Sequence, residues 1–267
     1  NRYGIAARLT RMETDGYREN SWARLWSYYL SGARFTSKHT TRVIFYGGPE
    51  KTHLAYEGVP KDSLSNERSR RFNEFQFPGE IDNFFQPHYE LHDEWVLHKH
   101  VSLTNSLYLF KGDGYYDQWR TEQYPAEYFP HQLIFPDIMI DVLRRRNVSE
   151  TDGGWIPRAS IEHKHGTTVV GGDLRLHDAR HEGILLWSLP NMAISPDHHY
   201  YDYTIQKTSV SGYVHNLLRV TDRLHALADV QVVSHRIEMK EDTVWNVAYE
   251  KTYSAINPRA GLRYTLM

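Results

Sequence analysis

Apolar and polar residues alternate along much of the chain, so hydrophobic positions recur at every second residue rather than every third or fourth. The alternation is clearest in 224–237, and it recurs in 2–10, 101–110 and 167–177. The apolar series of the first segment is Leu224, Ala226, Ala228, Val230 and Val232. Because successive side chains of a strand point to opposite faces, each segment is predicted to be a β-strand with one mainly apolar and one more polar face.

This pattern predicts ten strands, and the clearest of them are about ten residues long. Their approximate ranges are 2–12, 21–35, 40–47, 87–97, 101–111, 154–163, 167–177, 207–220, 224–237 and 257–266. A strand of a soluble protein typically has about five or six residues, whereas about ten tilted residues cross a bilayer as a barrel strand. The strand lengths therefore favour a membrane-spanning barrel.

After the first connection, short and long connections between the strands alternate strictly. The short ones are 37–39, 98–100, 164–166 and 221–223. The long ones are 48–86, 112–153, 178–206 and 238–256. Short turns at one edge and long loops at the other are typical of outer-membrane barrels. The predicted fold is all-β: an antiparallel, up-and-down transmembrane β-barrel segment of about ten strands.

Other interpretations of the pattern remain open. A soluble β-sandwich or propeller could also gather its loops at one end, although no 40–50-residue repeat supports a propeller. The segment 137–146 is compatible with a short helix or a strand. Gly112 and Gly114 lack the context of a phosphate-binding loop, and we interpret them as a loop turn.

Composition excludes several classes of protein. The net charge of −2 provides no broad attraction to nucleic acid, so no nucleic-acid partner is expected. The absence of cysteine rules out disulfides, thiolate zinc sites and a cysteine nucleophile. No run approaches the roughly 18–20 apolar residues of a transmembrane helix, and there is no signal peptide. The chain opens without Met and has the pattern of a strand from its start, so we interpret it as a mature protein or, in preference, a fragment.

Eight short runs, in order along nearly the whole chain, resemble TonB-dependent outer-membrane receptors of the Bacteroidetes type. They are FYGGPEKTHLAYEGVP (45–60), QPHYEL (86–91), KGDGYYDQW (111–119), LRRRNVSETDGG (143–154), GGDLRLHDARHEG (171–183), YYDYTIQK (200–207), ADVQVVSHR (228–236) and INPRAGLRY (256–264). The last run has the Asn-Pro-basic-Ala-Gly-Leu sequence that is characteristic of many such receptors.

The resemblance implies a function. Receptors of this family have a plug domain inside a barrel of about 22 strands, and they take up a scarce ligand across the outer membrane with energy from TonB. Residues 1–267 would form a middle part of the barrel domain, without the plug or the barrel termini. The implied partners are outer-membrane lipid, the plug, the remaining strands and, only through the plug, TonB. The ligand classes left open are siderophores, cobalamin, haem and oligosaccharides.

No motif indicates catalysis or a bound metal. The 16 histidines include the pairs His98–His100 and His163–His165 at predicted turns, without a suitably spaced carboxylate. The pair His177–His181 lies in a predicted strand end and loop and lacks the glutamate of a zincin motif. The acidic residues form no recognisable glycosidase pair, and no nucleophile elbow is present. We expect no metal, no cofactor and no enzymatic activity.

Aromatic and arginine side chains in the predicted extracellular loops are the candidate ligand-binding residues. They are Tyr115, Tyr116, Trp119, Arg144, Arg145, Trp187, Tyr200 and Tyr201. Arg146 continues the run of arginines, and Tyr203 belongs with the aromatic residues that include Tyr200 and Tyr201. The rings could stack on a sugar, porphyrin or catecholate, and the arginines could face the lumen and attract an anion. Alternatively, the rings form the aromatic girdle of a barrel, and the arginines are a solvated charge run.

Two other functions remain compatible with the sequence. A soluble carbohydrate-binding β protein would share the aromatic loops, but it would carry polar residues on both sheet faces of its edge strands. A passive porin or an adhesin would share the barrel pattern and would lack the plug. The transporter interpretation requires that the apolar row, which includes Leu103, Leu174, Leu224 and Val230, is not buried against a second layer.

Overall fold

The chain folds into one antiparallel sheet of twelve strands in a computed structural model, which describes residues 2–130, 138–192, 194–195 and 198–266. The strands are β1 (Arg2–Thr14), β2 (Ala23–Phe35), β3 (His39–Gly47), β4 (Pro49–His53), β5 (Ile81–Phe85), β6 (His88–His98), β7 (Val101–Gln123), β8 (Ile140–His163), β9 (Gly166–Leu189), β10 (His199–Arg219), β11 (Leu224–Met239) and β12 (Tyr249–Tyr264). The described parts of the connections contain a short helix, α1 (Glu67–Arg70), and two 3₁₀ turns, Lys61–Ser65 and Pro125–Glu127.

The twelve strands form ten ribbons, as the alternation predicts. Strand β4 prolongs β3, because both pair with β2, and β5 prolongs β6, because both pair with β7. The break between β3 and β4 falls at Gly47 and Gly48. Gly47 has a φ of +154°, and a side chain on Gly48 would collide with the backbone of Trp26. The break between β5 and β6 is at Gln86 and Pro87, because proline cannot donate a hydrogen bond to the neighbouring strand.

The ribbons follow one another as a meander with short and long connections at opposite edges. Residues 36–38, 99–100, 164–165 and 220–223 form the short-turn edge. The opposite edge carries 15–22, 54–80, 124–139, 190–198 and 240–248. The predicted alternation of connections is therefore confirmed. Among the described residues no pairing joins β1 to β12, and the sheet is open at these two strands.

The predicted long loops are shorter than expected because the strands continue into them. Strands β7, β8, β9 and β10 have 23, 24, 24 and 21 residues. The segment 137–146 is a strand from Ile140 onward, and Asp137 lies outside the described residues. The prediction of a loop turn at Gly112 and Gly114 is wrong: both lie within β7, where a Cβ on Gly114 would be 2.8 Å from Cα of Phe84 in β5.

Each ribbon presents one apolar and one polar side, and the sides are in register across the sheet. Pairing places Leu103 opposite Ala159, Leu174 opposite Val210, and Val230 opposite both Val214 and Pro258. We call this side the apolar face. Leu174 and Val230 are 37% and 43% exposed, and Leu103 and Leu224 are partly exposed. The apolar row is therefore not buried against a second layer.

The apolar face is a band of limited height. On β8 it comprises Ile161, Ala159, Pro157, Trp155 and Gly153, after which the same side continues with polar residues toward the long-connection edge. Those residues are Thr151, Ser149, Asn147 and Arg145. On β9 the change occurs between Leu176 and Asp178. Strands β7–β10 therefore continue beyond the apolar band toward the long-connection edge. We call these parts of the strands their upper parts.

The opposite side, the polar face, carries the small core of the protein. Tyr128, Phe129, Ile140, Val142, Leu185 and Tyr200 form a buried cluster there. Tyr128 and Phe129 follow β7 in the connection to β8, and they pack on the polar face near the long-connection edge. His198 Nε2 lies 2.6 Å from the Tyr128 carbonyl oxygen, and Trp245 donates to the Tyr200 carbonyl at 2.7 Å. Residues of the 124–139 and 190–198 connections are thus joined to each other, and the 240–248 connection is attached to β10.

No helix within the described part of the chain is long and apolar enough to cross a membrane.

Candidate functional site

All eight candidate residues lie on strands, so their predicted position in loops is wrong. Strand β7 carries three of them, β8 two, β9 one and β10 two. In this order they are Tyr115, Tyr116, Trp119, Arg144, Arg145, Trp187, Tyr200 and Tyr201. The reason is the extension of these strands beyond the apolar band, which converts predicted loop residues into side chains with a defined face.

Four of the candidates are on the side of the apolar face. Arg145 donates to both carboxylate oxygens of Asp117 at 2.7 and 2.8 Å, and its guanidinium lies 3.7 Å from the ring centroid of Tyr115. The rings of Trp119 and Trp187 have centroids 5.2 Å apart. Asp117 is only 8% exposed, and these contacts satisfy the polar groups within the protein. This group stabilises strand pairing above the band.

The remaining candidates lie together on the polar face. Tyr116 pairs with Arg146, Arg146 with Gly183, and Gly183 with Tyr201, so one row crosses four strands. A register irregularity between His199 and Tyr201 brings Tyr200 to the same place. A Cβ on Gly183 would lie 2.5 Å from Cζ of Tyr200, so glycine provides the space that the tyrosines occupy.

We call Tyr116, Arg144, Arg146, Tyr200 and Tyr201 the arginine–tyrosine cluster. Arg146 donates to the Tyr116 hydroxyl at 3.0 Å, and its guanidinium is 6.0 and 5.9 Å from the ring centroids of Tyr116 and Tyr201. The rings of Tyr200 and Tyr201 are 4.8 Å apart in an edge-to-face arrangement. The aromatic rings therefore surround a guanidinium.

Arg144 is held by neutral groups. Its guanidinium donates to Gln118 Oε1 at 2.7 Å and to the Tyr128 hydroxyl at 3.3 Å. Gln118 in turn donates to the Tyr56 hydroxyl at 2.9 Å. These partners orient Arg144 without neutralising it, because an amide oxygen and a hydroxyl carry no formal charge.

The cluster has a positive charge that the surrounding protein leaves uncompensated. Among the described residues, neither Arg144 nor Arg146 forms an ion pair with a carboxylate. Burial disfavours the charged form of Arg146, but the hydroxyls of Tyr200, Tyr116 and Tyr201 outweigh it and raise the Arg146 pKa. Burial also raises the pKa of Tyr200 and Tyr201, which keeps both hydroxyls protonated.

Two buried polar atoms of the cluster lack a well-placed hydrogen-bond partner in the ranges that the structure describes. The Tyr200 hydroxyl interacts electrostatically with Arg146, yet neither this hydroxyl nor Nε of Arg146 has a partner in good hydrogen-bond geometry within the described part of the chain. Buried polar groups are normally hydrogen-bonded.

Sequence reasoning missed several neighbours of the cluster. Gln118 and Tyr128 fix Arg144, and His181 stacks on Tyr203 with ring centroids 5.3 Å apart. Two-residue spacing from Tyr116 could have indicated Gln118, whereas Tyr128 arrives from a connection and has no signal of this kind. His177 and His181, predicted at a strand end and loop, are within β9.

The histidines do not form a metal site among the described residues, where no group of three or more histidine, aspartate or glutamate side chains is arranged to bind a metal ion. The turn pairs His98–His100 and His163–His165 have ring centroids 5.8 and 6.5 Å apart, and all four side chains are exposed. Pro196 and Asp197, next to His198 and His199, lie outside the described residues.

The fold is similar to that of solved membrane receptors and transporters. No protein-family model matches the sequence, and no curated protein matches it significantly. The unliganded ferric citrate transporter FecA superposes with a TM-score of 0.73 over 99% of this chain and 37% of its own, at 12% identity. The open form of the ferric-catecholate import receptor Fiu from E. coli K12 gives 0.74 over 99% and 48%, at 10% identity.

A copper transporter, OprC, is similar too, with a TM-score of 0.69 over 98% of this chain and 38% of its own, at 10% identity. At such identities the likeness establishes the fold, an antiparallel up-and-down sheet matching barrel segments of receptors of this kind. The chain spans less than half the length of each of these three proteins. The three differ in cargo, so the shared fold does not determine the ligand.

Proposed function

We propose that the chain is a middle part of the barrel of a TonB-dependent outer-membrane receptor of the Bacteroidetes type, which binds a scarce ligand and takes it up across the outer membrane. The apolar face contacts lipid, and the polar face lines the lumen. The plug and the remaining barrel strands are its partners within the receptor, and TonB acts through the plug. The role is transport rather than catalysis.

The exposed apolar face is the observation that carries this proposal. Apolar side chains make up most of this face, and Asp93 and Asn105 interrupt it between the Trp95 and Leu91 rows. Ile5, Ile256 and Leu262 are 84%, 69% and 77% exposed on it. A soluble protein rarely leaves so large an apolar surface in water, whereas a lipid-facing sheet requires it. A soluble carbohydrate-binding protein would instead need polar residues on both faces of these edge strands.

The arginine–tyrosine cluster is the proposed ligand site. It faces the lumen above the lipid band, at the edge with the long connections, where an extracellular ligand would enter. Two guanidinium groups without carboxylate partners favour an anionic ligand, and the surrounding rings favour one with planar groups. Ferric siderophores and haem satisfy both requirements, as does cobalamin through its phosphate and corrin ring. An uncharged oligosaccharide satisfies only the second.

Binding to the complete receptor, purified in detergent, tests the site. The probes are ferric citrate, a ferric catecholate, haemin, cyanocobalamin and maltoheptaose, followed by tryptophan fluorescence. Hydrogen bonds to charged groups contribute about 1.5–3 kcal/mol, so the double variant Arg144→Gln and Arg146→Gln should bind an anionic probe at least about tenfold more weakly. The matched control is Arg180→Gln, which removes a charge from the other side of β9.

The outcomes separate the alternatives. The ligand would not bind at this cluster if the double variant bound every probe as tightly as the native receptor does. The same conclusion would follow if Arg180→Gln lost as much affinity as the double variant. Uptake by intact cells provides the second measurement, because TonB-driven transport requires the proton gradient. Uptake that persists in the presence of a protonophore would indicate a passive porin.

A further inference from the structure

The short-turn edge has a cation in every one of its four turns. Lys38, Lys99, Lys164 and Arg223 occupy these turns, and all four side chains are exposed. Arg34 and Arg219 flank them. Within 34–39, 97–101, 161–166 and 219–225 the only carboxylates are Glu162 and Asp222. This edge is therefore positive, although the chain as a whole carries a net charge of −2.

Imidazoles accompany the cations. Six of the sixteen histidines are in or beside the same turns: His39, His98, His100, His163, His165 and His225. A neutral imidazole still donates one N–H, so the edge also offers hydrogen-bond donors between its charges. Two carboxylates lie beside these rings: Asp93 Oδ1 is 2.5 Å from Nε2 of His39, and Glu162 is 3.9 Å from Nδ1 of His100. In the described ranges no ion pair uses Lys38, Lys99 or Lys164.

Backbone hydrogen bonds hold the turns in a row. Val96 donates to the Lys38 carbonyl at 2.8 Å, and Glu162 donates to the His100 carbonyl at 2.8 Å. Arg219 donates to the His165 carbonyl at 2.6 Å. Each turn is thus attached to the strand beyond it. Because successive turns are separated by two strand spacings, their cations recur about every 10 Å.

The row adjoins the apolar face. Trp95 and Ile161 are on that face, 46% and 39% exposed, and each is within four residues of a turn lysine. The Trp95 ring contacts His39 edge-on, with centroids 5.0 Å apart. A tryptophan that joins an apolar surface to a polar rim is typical of the membrane–water interface. The cations therefore lie at the depth of lipid headgroups.

We propose that the short-turn edge binds the phosphate groups of anionic phospholipids in the adjacent leaflet. The occupant is a headgroup rather than free phosphate, because the row is continuous with the surface that covers acyl chains. Ammonium groups and imidazole N–H groups are suited to a phosphodiester at this spacing. The inference rests on the proposed contact of the apolar face with lipid, and it is independent of ligand uptake.

Spin-labelled lipids test the inference. The complete receptor is reconstituted in phosphatidylcholine vesicles, and the association of spin-labelled phosphatidylglycerol is compared with that of spin-labelled phosphatidylcholine. A lysine near an anionic lipid surface contributes about 1 kcal/mol, which corresponds to roughly fivefold per headgroup site. We expect a severalfold preference for phosphatidylglycerol that falls toward equality in the triple variant Lys38→Gln, Lys99→Gln and Lys164→Gln.

The matched control removes three lysines from the opposite end of the sheet: Lys51→Gln, Lys240→Gln and Lys251→Gln. Its preference should equal that of the native receptor. Equal association of both lipids with the native receptor, or an equal loss in the control, would overturn the proposal. So would loss of the preference on adding inorganic phosphate at constant ionic strength. Heat-modifiable gel mobility reports insertion separately, and a native receptor that fails to insert contradicts the barrel itself.

Discussion

Arg144 and Arg145 are consecutive residues of β8, yet Arg145 forms an ion pair with Asp117 on one side of the sheet and Arg144 donates to Gln118 on the other. Asp117 and Gln118 are themselves consecutive in β7. The alternation of the two paired strands thus divides a run of arginines into two groups. On one side the charge is neutralised and supports strand pairing, and on the other it remains available to an anion.

The two arginines should therefore respond differently to the same substitution. Arg145→Gln leaves Asp117, whose side chain is 12% exposed, without its cation. We expect this variant to lose about 1–3 kcal/mol of unfolding free energy and to keep its ligand affinity. Arg144→Gln should change stability by less than about 1 kcal/mol and weaken ligand binding. Urea unfolding of the detergent-solubilised receptor and fluorescence titration measure the two effects.

Each of the two single variants is the control for the other, because they remove the same charge at adjacent positions and are expected to have opposite effects on stability and on ligand affinity. Equal losses of stability in both would contradict the division of the arginine run. Restored stability in the double variant Arg145→Gln, Asp117→Asn would support the ion pair, because removing both charges leaves neither without its partner.

Close approach between β5 and β7 predicts a strong effect at Gly114. A side chain there would collide with the Asn83 carbonyl and lie 2.8 Å from Cα of Phe84, and both obstacles are backbone atoms that cannot rotate away. We expect Gly114→Ala to cost about 1–3 kcal/mol and to separate β5 from β7. Limited proteolysis within 54–80 should become faster, because β4 and β5 bound this connection.

Gly212→Ala is the matched control, since a Cβ there meets no heavy atom within 4 Å. Gly212 is on the apolar face of β10, opposite Val232. We expect unchanged proteolysis and equal or slightly greater stability, because alanine restricts the unfolded chain. A Gly114→Ala variant as resistant as Gly212→Ala would show that β5 does not pack against β7.

The sequence could predict which face each strand presents, but it could not predict where strands β7–β10 end. Within the band, leucine and valine at every second position indicate both the strand and its orientation, as in 224–237. Above the band, the run 143–151 has charged or polar residues on both sides of the strand. The run 143–151 therefore carries no period of two, and only its pairing with β7 and β9 shows that it is a strand. Such pairing joins residues far apart in sequence.

Residue types indicate the candidate residues, but they do not indicate which of the candidates lie together. Counting by two from Leu103 assigns Tyr115 and Trp119 to the apolar-face side and Tyr116 to the other, which agrees with the structure. On β9 counting by two fails between Leu185 and Trp187, because these residues pair with Arg144 and Leu143 and one extra residue lies between them. A second shift precedes Tyr201. Such irregularities reverse the face of every later side chain, and no residue pattern marks them.

Contact of the apolar face with lipid predicts a large difference between neighbouring positions of β11. Val230 is on the apolar face, and Gln231 is on the polar face. An arginine facing the middle of the bilayer costs about 2–4 kcal/mol, whereas one in an aqueous lumen costs little. We therefore expect Val230→Arg to reduce folding into phosphatidylcholine vesicles and Gln231→Arg to have almost no effect. Heat-modifiable gel mobility measures the folded fraction, and similar folded fractions for the two variants would contradict the assignment of faces.

Acidification should loosen the upper parts of β9 and β10 through His181, which is above the apolar band. Burial lowers the pKa of His181, His177 acts in the same direction, and Glu150 opposes them. The folded protein therefore prefers the neutral imidazole that stacks on Tyr203. The unfolded pKa is about 6.5, so this stabilisation is complete above that pH and is lost as the pH falls through the lower folded value.

Hydrogen exchange at pH 7.5 and pH 5, corrected for the intrinsic rates, measures this effect. Protection of the 178–184 backbone should fall at the lower pH in the native receptor and should change little in His181→Phe, whose ring can stack without titrating. His165→Phe, at the short-turn edge, should retain the native pH dependence. If His181→Phe loses protection between the two pH values as the native receptor does, another group controls this region and the stacked imidazole is not the titrating element.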